Sequence, residues 1–204
     1  MVDTRDPLRF LQGEVSRLRQ ENQELKDELT VLRSSVRGLS AIQDLIQRMT
    51  PQTDLLAVLD DLLGSALAVL GASDGSLLLK DDETDELVFA IVRGEARDRL
   101  TGYRLPPGRG IAGWVVENRE PTVVQDVRKD PRFYPQVDET FGFTTQTLAC
   151  VPLLDGERIV GVIEAVNKLS NREFSAEDYH LLMVVAQLAT VAIRRAEEFA
   201  REED

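Results

Sequence analysis

The chain has 204 residues, of which 43% are hydrophobic and 29% charged, enough for one domain with a substantial core and an extension. Its net charge of −12 repels phosphate backbones and disfavours nucleic-acid binding, and its single cysteine excludes an internal disulfide. Because no apolar run reaches the roughly 20 residues of a membrane span and the N-terminus lacks a signal-peptide pattern, we expect a cytoplasmic protein that does not cross a membrane.

Residues 1–40 predict a coiled-coil dimerisation helix. They hold seven acidic and seven basic residues, so the net charge of the chain belongs to residues 41–204. Within residues 1–40, apolar residues and one asparagine recur at alternating steps of three and four, which is the spacing of a coiled-coil seam. The seam consists of Leu8, Leu11, Val15, Leu18, Asn22, Leu25, Leu29, Leu32, Val36 and Leu39.

The charges beside this seam favour two parallel strands in register. In that arrangement each acidic residue at position g faces a basic residue of the second copy at position e, whereas antiparallel strands would bring like charges together. The pairs are Glu14 with Arg19, Glu21 with Lys26, and Glu28 with Arg33. The Asn22 amide finds its partner in the second copy of a two-stranded parallel coil, so the sequence predicts a parallel homodimer.

Two other structures compete with the dimer for this segment. A single helix packed on its own domain would not need charges placed so consistently beside the seam. A basic-region leucine zipper also carries a buried asparagine, but only Arg5 and Arg9 precede the seam, too few to fill a major groove.

The first elements predicted after residue 40 are a helix and a hairpin. Thr50 and Pro51 suit a cap and a first helical turn, so we expect a helix from there to Gly71. Strand-like runs at residues 76–80 and 87–92 are joined by an acidic turn, which predicts a β-hairpin.

The remaining pattern predicts an α+β domain. A glycine-rich stretch at residues 106–113 opens a short helix to Asn118, and a short strand over 122–125 and a weakly helical segment over 131–143 follow. Asp155 and Gly156 predict a tight turn between strands 147–154 and 158–167. A last amphipathic helix begins after the cap Ser175 and runs to about Arg201, so helices at both ends flank an antiparallel sheet.

The sequence offers no visible catalytic machinery. Cys150 lies in an apolar strand and is expected to be a buried structural thiol, and His180 is the only histidine, so the pair cannot supply a usual zinc site. Since no nucleophile, P-loop or paired-carboxylate motif stands out, we expect a protein that is not an enzyme and holds no cofactor or metal.

Two features leave a ligand site open as an interpretation. Gly108, Gly110 and Gly113 match the dinucleotide fingerprint in spacing, but no preceding strand or parallel βαβ unit supports it, so an anion-binding helix start and a plain tight turn remain. Aromatic residues concentrated between residues 114 and 143 either cover a small core or line a concave site. They are Trp114, Phe133, Tyr134, Phe141 and Phe143.

The order of motifs resembles a GAF domain, and specifically the cyclic-nucleotide-binding GAF domains of phosphodiesterases and bacterial adenylyl cyclases. The matching runs are residues 110–115, 130–134, 137–138, 142–145, 150–152 and 161–168. Asn167, Lys168, Phe174 and Asp178 are similar to the family signature, with Tyr179 in place of its last Glu.

The resemblance implies an antiparallel sheet with helices on its outer face and a ligand enclosed on the other. It implies that the backbone amides of Ile111 and Tyr134 meet a phosphate and that Lys168 pairs with Asp178. The side chains expected to line the pocket are Ala112, Phe133 and Thr145, and those expected to approach the base are Ser76 and Glu164.

The chain departs from the guanine-binding members at the end of the second strand. Val92 and Arg93, which are also expected to border the ligand, stand where those members have an aromatic residue and an acid. An Arg cannot accept hydrogen bonds from the donor edge of guanine. Phe141 also replaces a threonine expected before Gly142. The departures disfavour cyclic GMP and leave cyclic AMP as the candidate.

The sequence therefore predicts residues 1–40 as a coiled coil and 41–204 as a GAF-like sensor domain. The expected function is a dimeric, non-catalytic signalling protein that binds a small molecule such as cyclic AMP and transmits the change through its helices. The alternative is a ligand-free dimerisation or interaction module that serves a kinase, a cyclase or another regulator.

Overall fold

The computed structural model describes residues 13–15, 17–23, 26, 40, 44, 46–169 and 173–203. The chain divides into two units, Met1–Ser40 and Ala41–Asp204, and each is described by itself. In the first unit, residues 13–15, 17–23 and 26 are helical, and the seam residues Val15 and Leu18 are exposed. The rest of the predicted seam apart from Asn22 lies outside the described residues, so the coiled coil stays a prediction.

The second unit is built on one antiparallel sheet with helices on both faces. In its described part the strand order is β3-β2-β1-β6-β5-β4, and neighbouring strands pair antiparallel. The elements in chain order are α1 (Leu55–Leu70), β1 (Ala72–Lys80), β2 (Leu87–Arg93), α2 (Arg97–Leu100), β3 (Arg104–Leu105), α3 (Gly110–Asn118), β4 (Thr122–Val124), a 3-10 turn (Val127–Lys129), α4 (Gln136–Phe141), β5 (Leu148–Asp155), β6 (Arg158–Lys168) and α5 (Ala176–Glu203).

The start of α1 corrects the prediction from Thr50 and Pro51. The N-cap is Asp54, whose side chain accepts a hydrogen bond from the Ala57 amide at 3.2 Å. Thr50 instead donates its amide hydrogen to the Thr53 hydroxyl at 2.9 Å, in a turn that precedes the helix. Asp54 is the stronger cap because its carboxylate satisfies a free amide of the first helical turn.

Helices α1 and α5 cover one face of the sheet. Strand side chains alternate between faces, and Leu77, Val151 and Ile163 point to the side on which these two helices pack. Helix α1 lies directly on β1 at Gly75, where an added Cβ would stand 2.7 Å from a Leu67 methyl carbon.

Helix α5 begins where the sequence predicts. The Ser175 amide donates to the Asp178 carboxylate at 2.7 Å, and the Asp178 amide donates to the Ser175 hydroxyl at 3.3 Å. These reciprocal hydrogen bonds cap the first turn. By length and composition Ala176–Glu202 could span a membrane, but its buried side packs on β5 and α1. That packing is the behaviour of a core helix.

The other face of the sheet is covered by the segment between β2 and β5. Inward residues of α2, β3, α3 and the 3-10 turn pack on strand residues of this face in one apolar cluster. The sequence did not predict α2, β3 or the 3-10 turn, because elements of two to four residues leave no hydrophobic period to detect. Their role is to hold the aromatic segment over the sheet.

Candidate functional site

A cavity of about 100 Å³ lies between the sheet and its covering layer. Its floor is formed by β1, β2, β5 and β6, and its wall by α2 and the start of α3. Its roof is the lid segment, defined here as residues 133–145, which contributes Phe133, Tyr134, Phe143 and Thr145. The cavity is mostly apolar and has a few polar groups, which is the composition of a small-molecule site.

A buried polar row crosses the cavity floor. Ser76 pairs with Glu164 across β1 and β6, and Glu164 pairs with Cys150 across β6 and β5. The Ser76 hydroxyl donates to a Glu164 carboxylate oxygen at 2.9 Å. Burial raises the pKa of the Glu164 carboxyl, and hydrogen bonds from Ser76 and Cys150 act in the opposite direction. Both Glu164 and Ser76 therefore offer hydrogen-bonding atoms at the bottom of an apolar chamber.

The thiol of Cys150 is buried, as the sequence predicts for a structural cysteine. Burial raises its pKa well above the ordinary value, and the neighbouring Glu164 carboxyl raises it further. A thiol held protonated is a poor nucleophile. Among the described residues, no group of three or more His, Cys, Asp and Glu side chains is arranged to hold a metal ion.

The glycine motif serves a tight turn and a close approach. An added Cβ at Gly113 would stand 2.5 Å from the Gly108 carbonyl carbon, so the loop before α3 rests directly on the helix. Gly110 has a φ of 72°, in the left-handed region that favours glycine. The N-cap of α3 is Arg109, which makes no side-chain cap hydrogen bond. The helix start therefore meets the cavity at Gly110, Ile111 and Ala112.

The lid segment is fixed by a carboxylate that the sequence reading did not single out as a site residue. Asp138 is 7% exposed and accepts two hydrogen bonds from Thr145, from the amide at 2.8 Å and from the hydroxyl at 2.7 Å. These bonds join α4 to the strand-side end of the lid. Asp138 and Thr145 both lie in runs that resemble the family, and this was the signal that could have marked the pair.

Aromatic and cationic contacts hold the two flanks of the lid. Phe141 meets Tyr103 edge to face, with ring centroids 5.0 Å apart. The Arg132 guanidinium lies 4.3 Å from the centroid of the Trp114 ring. It also forms an ion pair with Asp130, and its hydrogen bond lowers the pKa of the Asp130 carboxyl. Phe141, which replaces the expected threonine, is therefore a packing residue of the lid.

Arg93 borders the cavity, and its charged group is directed toward α1, so its part in ligand binding stays a prediction. Val92 faces the cavity, and strand alternation turns Arg93 toward α1. The guanidinium makes two hydrogen bonds of 2.8 Å to Asp60, and it occupies space that a side chain at Gly64 would need. Arg93 thus joins β2 to α1.

The family signature acts outside the cavity. Lys168 forms an ion pair with Asp178, which ties the end of β6 to the first turn of α5. The Asn167 side chain donates to the Thr144 carbonyl and accepts from the Gln146 amide, both at 2.8 Å. Phe174 is buried, and its carbonyl accepts from Gln125 at 2.8 Å. These residues hold the sheet edge, the lid and the last helix together.

The structure brings the predicted ligand-binding residues together around one cavity. All of them border it, although they come from β1, β2, α3, the lid and β6: Ser76, Val92, Arg93, Ile111, Ala112, Phe133, Tyr134, Thr145 and Glu164. Whether they bind a ligand stays a prediction. The sequence reading missed the apolar part of the lining, because a buried aliphatic residue gives the same pattern in a core and in a pocket. It includes Phe89, Ala96, Leu100, Leu105, Val137, Leu148 and Val166.

A sheet with helices on one face and a roofed cavity on the other defines a class of small α+β domains that enclose a binding chamber. The GAF domain family model matches residues 54–193, and the chain belongs to this family. The membership confirms the resemblance and the α+β fold, and it indicates a sensory or regulatory role.

The relatives include two phosphodiesterases. The chain is 37% identical over 100 residues to dual 3',5'-cyclic-AMP and -GMP phosphodiesterase 11A of Takifugu rubripes, covering 48% of this chain and 11% of that protein. It is 29% identical over 141 residues to dual 3',5'-cyclic-AMP and -GMP phosphodiesterase 11 of Drosophila melanogaster, covering 68% of this chain and 10% of that protein. The matched part is thus about a tenth of each relative's length.

A solved structure shares the fold. The GAF domain of a phosphoenolpyruvate-protein phosphotransferase from Coxiella burnetii superposes with a TM-score of 0.71 at 20% sequence identity. The superposition covers 82% of this chain and 96% of that one.

Proposed function

We propose that this protein is a non-catalytic sensor whose cavity binds a small molecule, with a cyclic nucleotide such as cyclic AMP as the leading candidate. The observation that carries the proposal is that the residues expected from the resemblance, which come from five parts of the chain, border one chamber. The chamber offers aromatic rings, a buried Ser76–Glu164 hydrogen bond and a helix start without a side-chain cap. Similarity to phosphodiesterases of cyclic AMP and cyclic GMP supports this ligand class.

The cavity volume implies that binding moves the lid. About 100 Å³ is below the range of roughly 300–1,000 Å³ typical of sites for drug-sized ligands. The lid is the part that can give way, since it carries only one short helix and its hydrogen bonds to Asp138 and Asn167 are made at Thr144 and Thr145, at its strand-side end. A nucleotide would enter an opened chamber and the lid would close over it.

We propose that the signal leaves through the helices and a parallel homodimer. The cavity floor is the same sheet on which α1 and α5 pack, and residues 1–40 precede α1 in the chain. A two-stranded coiled coil transmits small rotations of its helices from one end to the other, so a signalling partner attached to the helices would respond to ligand.

Thermal unfolding with a nucleotide panel tests the sensor proposal. The panel contains cyclic AMP, cyclic GMP, 5'-AMP and adenosine. A bound ligand at one hundred times its Kd stabilises by about 2.7 kcal/mol, which raises the melting temperature of a chain of this size by roughly 5–11 °C. We expect the largest increase with cyclic AMP.

A matched pair of variants locates the binding. Ala112→Leu adds bulk to a buried, cavity-lining residue, whereas Ala57→Leu adds the same bulk to an exposed residue of α1. Ala112→Leu should lose the ligand-induced increase in melting temperature, and Ala57→Leu should keep it. An increase that survives Ala112→Leu would place the ligand elsewhere.

The small cavity also favours a second candidate, a ligand-free interaction module. In that case the apolar lining serves as core, and the sheet only supports dimerisation or a partner. A panel in which no compound raises the melting temperature would favour this function over the sensor.

A further inference from the structure

The charge of the covering layer differs from that of the rest of the chain. The segment between β2 and β5, residues 94–147, holds eight basic and eight acidic residues and is neutral overall, whereas the whole chain has a net charge of −12. The negative excess therefore belongs to residues outside this segment, so the side of the sheet that holds the cavity repels anions less than the rest of the domain does.

Two exposed arginines of this layer stand beside the lid. Arg99 directly precedes Leu100, which lines the cavity, and its Nη1 atom lies 3.4 Å from the position of a Cβ added to Gly142. Arg109 directly precedes Gly110, which also lines the cavity, and its guanidinium carbon lies 6.0 Å from the centroid of the Tyr134 ring. The two guanidinium groups therefore mark the two ends of the segment 134–142.

These two arginines lack the carboxylate partners that other cations of the domain have. Arg93, Arg104 and Arg132 each make an ion pair of 2.6–2.9 Å. Within the described ranges, neither Arg99 nor Arg109 has a carboxylate oxygen within 4.0 Å. An unpaired guanidinium keeps its full charge available to a passing ion, whereas a paired one is largely neutralised.

We propose that Arg99 and Arg109 form the entrance of the cavity and select anionic ligands over neutral ligands of the same shape. This inference rests on the proposed sensor function and adds to it the residues that set the charge of the ligand. An anion such as a phosphate ester is attracted by the two guanidinium groups at the lid ends and enters between them. The entrance acts on the rate of association.

Three carboxyl groups border the cavity, those of Asp74, Asp138 and Glu164, and hydrogen bonds or burial limit their repulsion of an anion. Both oxygens of Asp138 already accept hydrogen bonds from Thr145. Burial raises the pKa of Glu164, which reduces the negative charge at the floor.

A purely structural role of the arginines predicts equal effects on charged and neutral ligands, because Arg99 beside the end of α4 would stabilise that helix regardless of the ligand.

Stopped-flow binding to the full chain separates the two roles. Trp114, the only tryptophan, lies in α3 and reports binding by fluorescence. The test variant is Arg99→Gln with Arg109→Gln, and the control is Arg119→Gln. Arg119 is an exposed cation at the other end of α3, ten positions and about 15 Å from Arg109 at a rise of 1.5 Å per residue.

For cyclic AMP, we expect the double variant to associate about tenfold more slowly than the parent at low ionic strength, with a flatter dependence on salt. Association of adenosine should be unchanged in every variant, and Arg119→Gln should behave as the parent. Equal loss for cyclic AMP and adenosine would assign the arginines to lid structure, and no loss for either would overturn the inference.

A second measurement keeps the inference testable if neither nucleoside compound binds, an outcome that would contradict the proposed function instead. Amide chemical shifts are followed by NMR during titration with inorganic phosphate. Shifts at Gly110 and Gly142 that persist in Arg119→Gln and vanish in the double variant would support the entrance. Unchanged shifts at both glycines in the parent would overturn it.

Discussion

At the scale of single residues, the buried carboxyl of Glu164 makes stability depend on pH. Burial raises its pKa in the folded state above the ordinary value of 4.5, so folding favours the protonated form. The resulting stabilisation is full below the ordinary value and is lost as the pH rises through the raised pKa. We expect Glu164→Gln to gain stability relative to the parent as the pH rises from 4 to 8, measured by urea unfolding.

The matched control is Glu157→Gln, which makes the same change at an exposed residue of the turn between β5 and β6. Its difference from the parent should stay flat over the same pH range. If the difference in unfolding free energy between Glu164→Gln and the parent also stayed constant with pH, burial would not raise the pKa of the Glu164 carboxyl. The polar row with Ser76 and Cys150 would then not be a buried one.

At the scale of elements, Arg93 and Asp60 join β2 to α1. The pair has two hydrogen bonds of 2.8 Å, and its side chains are 34% and 23% exposed, so it is better held than a solvated pair. A double-mutant cycle with Arg93→Gln and Asp60→Asn should give a coupling of about 1 kcal/mol in the free energy of unfolding.

The control cycle uses Lys129 and Asp126, whose side chains are 85% and 45% exposed. Exposed pairs of this kind couple weakly, so the two cycles should differ clearly. Additive effects at Arg93 and Asp60 would mean that the pair contributes no more than its solvated counterpart.

The elements also show how much of the structure can be predicted from the sequence. Gly71 and Ser175 were predicted as helix boundaries because a left-handed C-cap and a reciprocal capping pair are local chemistry. Asp54 was missed because Thr50 and Pro51 offered an equally good local start. The direction of the Arg93 guanidinium was not predicted, because the alternation of β2 does not show which face α1 covers. Local sequence signals were therefore enough to predict where several helices end or begin. The directions of the side chains around the cavity depend on tertiary contacts.

At the scale of the whole molecule, the proposed homodimer depends on residues 1–40. Asn22 is expected to restrict the coil to two strands at a cost in stability. We expect the parent to sediment as a dimer of 45.6 kDa, twice the chain mass of 22.8 kDa. Asn22→Leu should melt at a higher temperature and form a mixture of oligomers.

Gln23→Leu serves as the control, since it adds a leucine one residue away and off the seam. It should stay a dimer in the ultracentrifuge. A parent that sediments at 22.8 kDa at micromolar concentration would exclude the dimer and with it the proposed route of the signal.

The contact of α1 with Gly75 has a consequence for the molecule as a whole. Gly75 and Ser76 are neighbours on β1, yet one touches Leu67 of α1 and the other faces the chamber. Only the thickness of a peptide backbone separates the two compartments at this point, with no intervening side chain to absorb a displacement. An occupant that pushes on Ser76 would therefore shift the seat of α1 directly. A bulkier residue at position 75 would itself displace α1, because its Cβ would stand 2.7 Å from both a Leu67 methyl carbon and the Glu164 carbonyl oxygen.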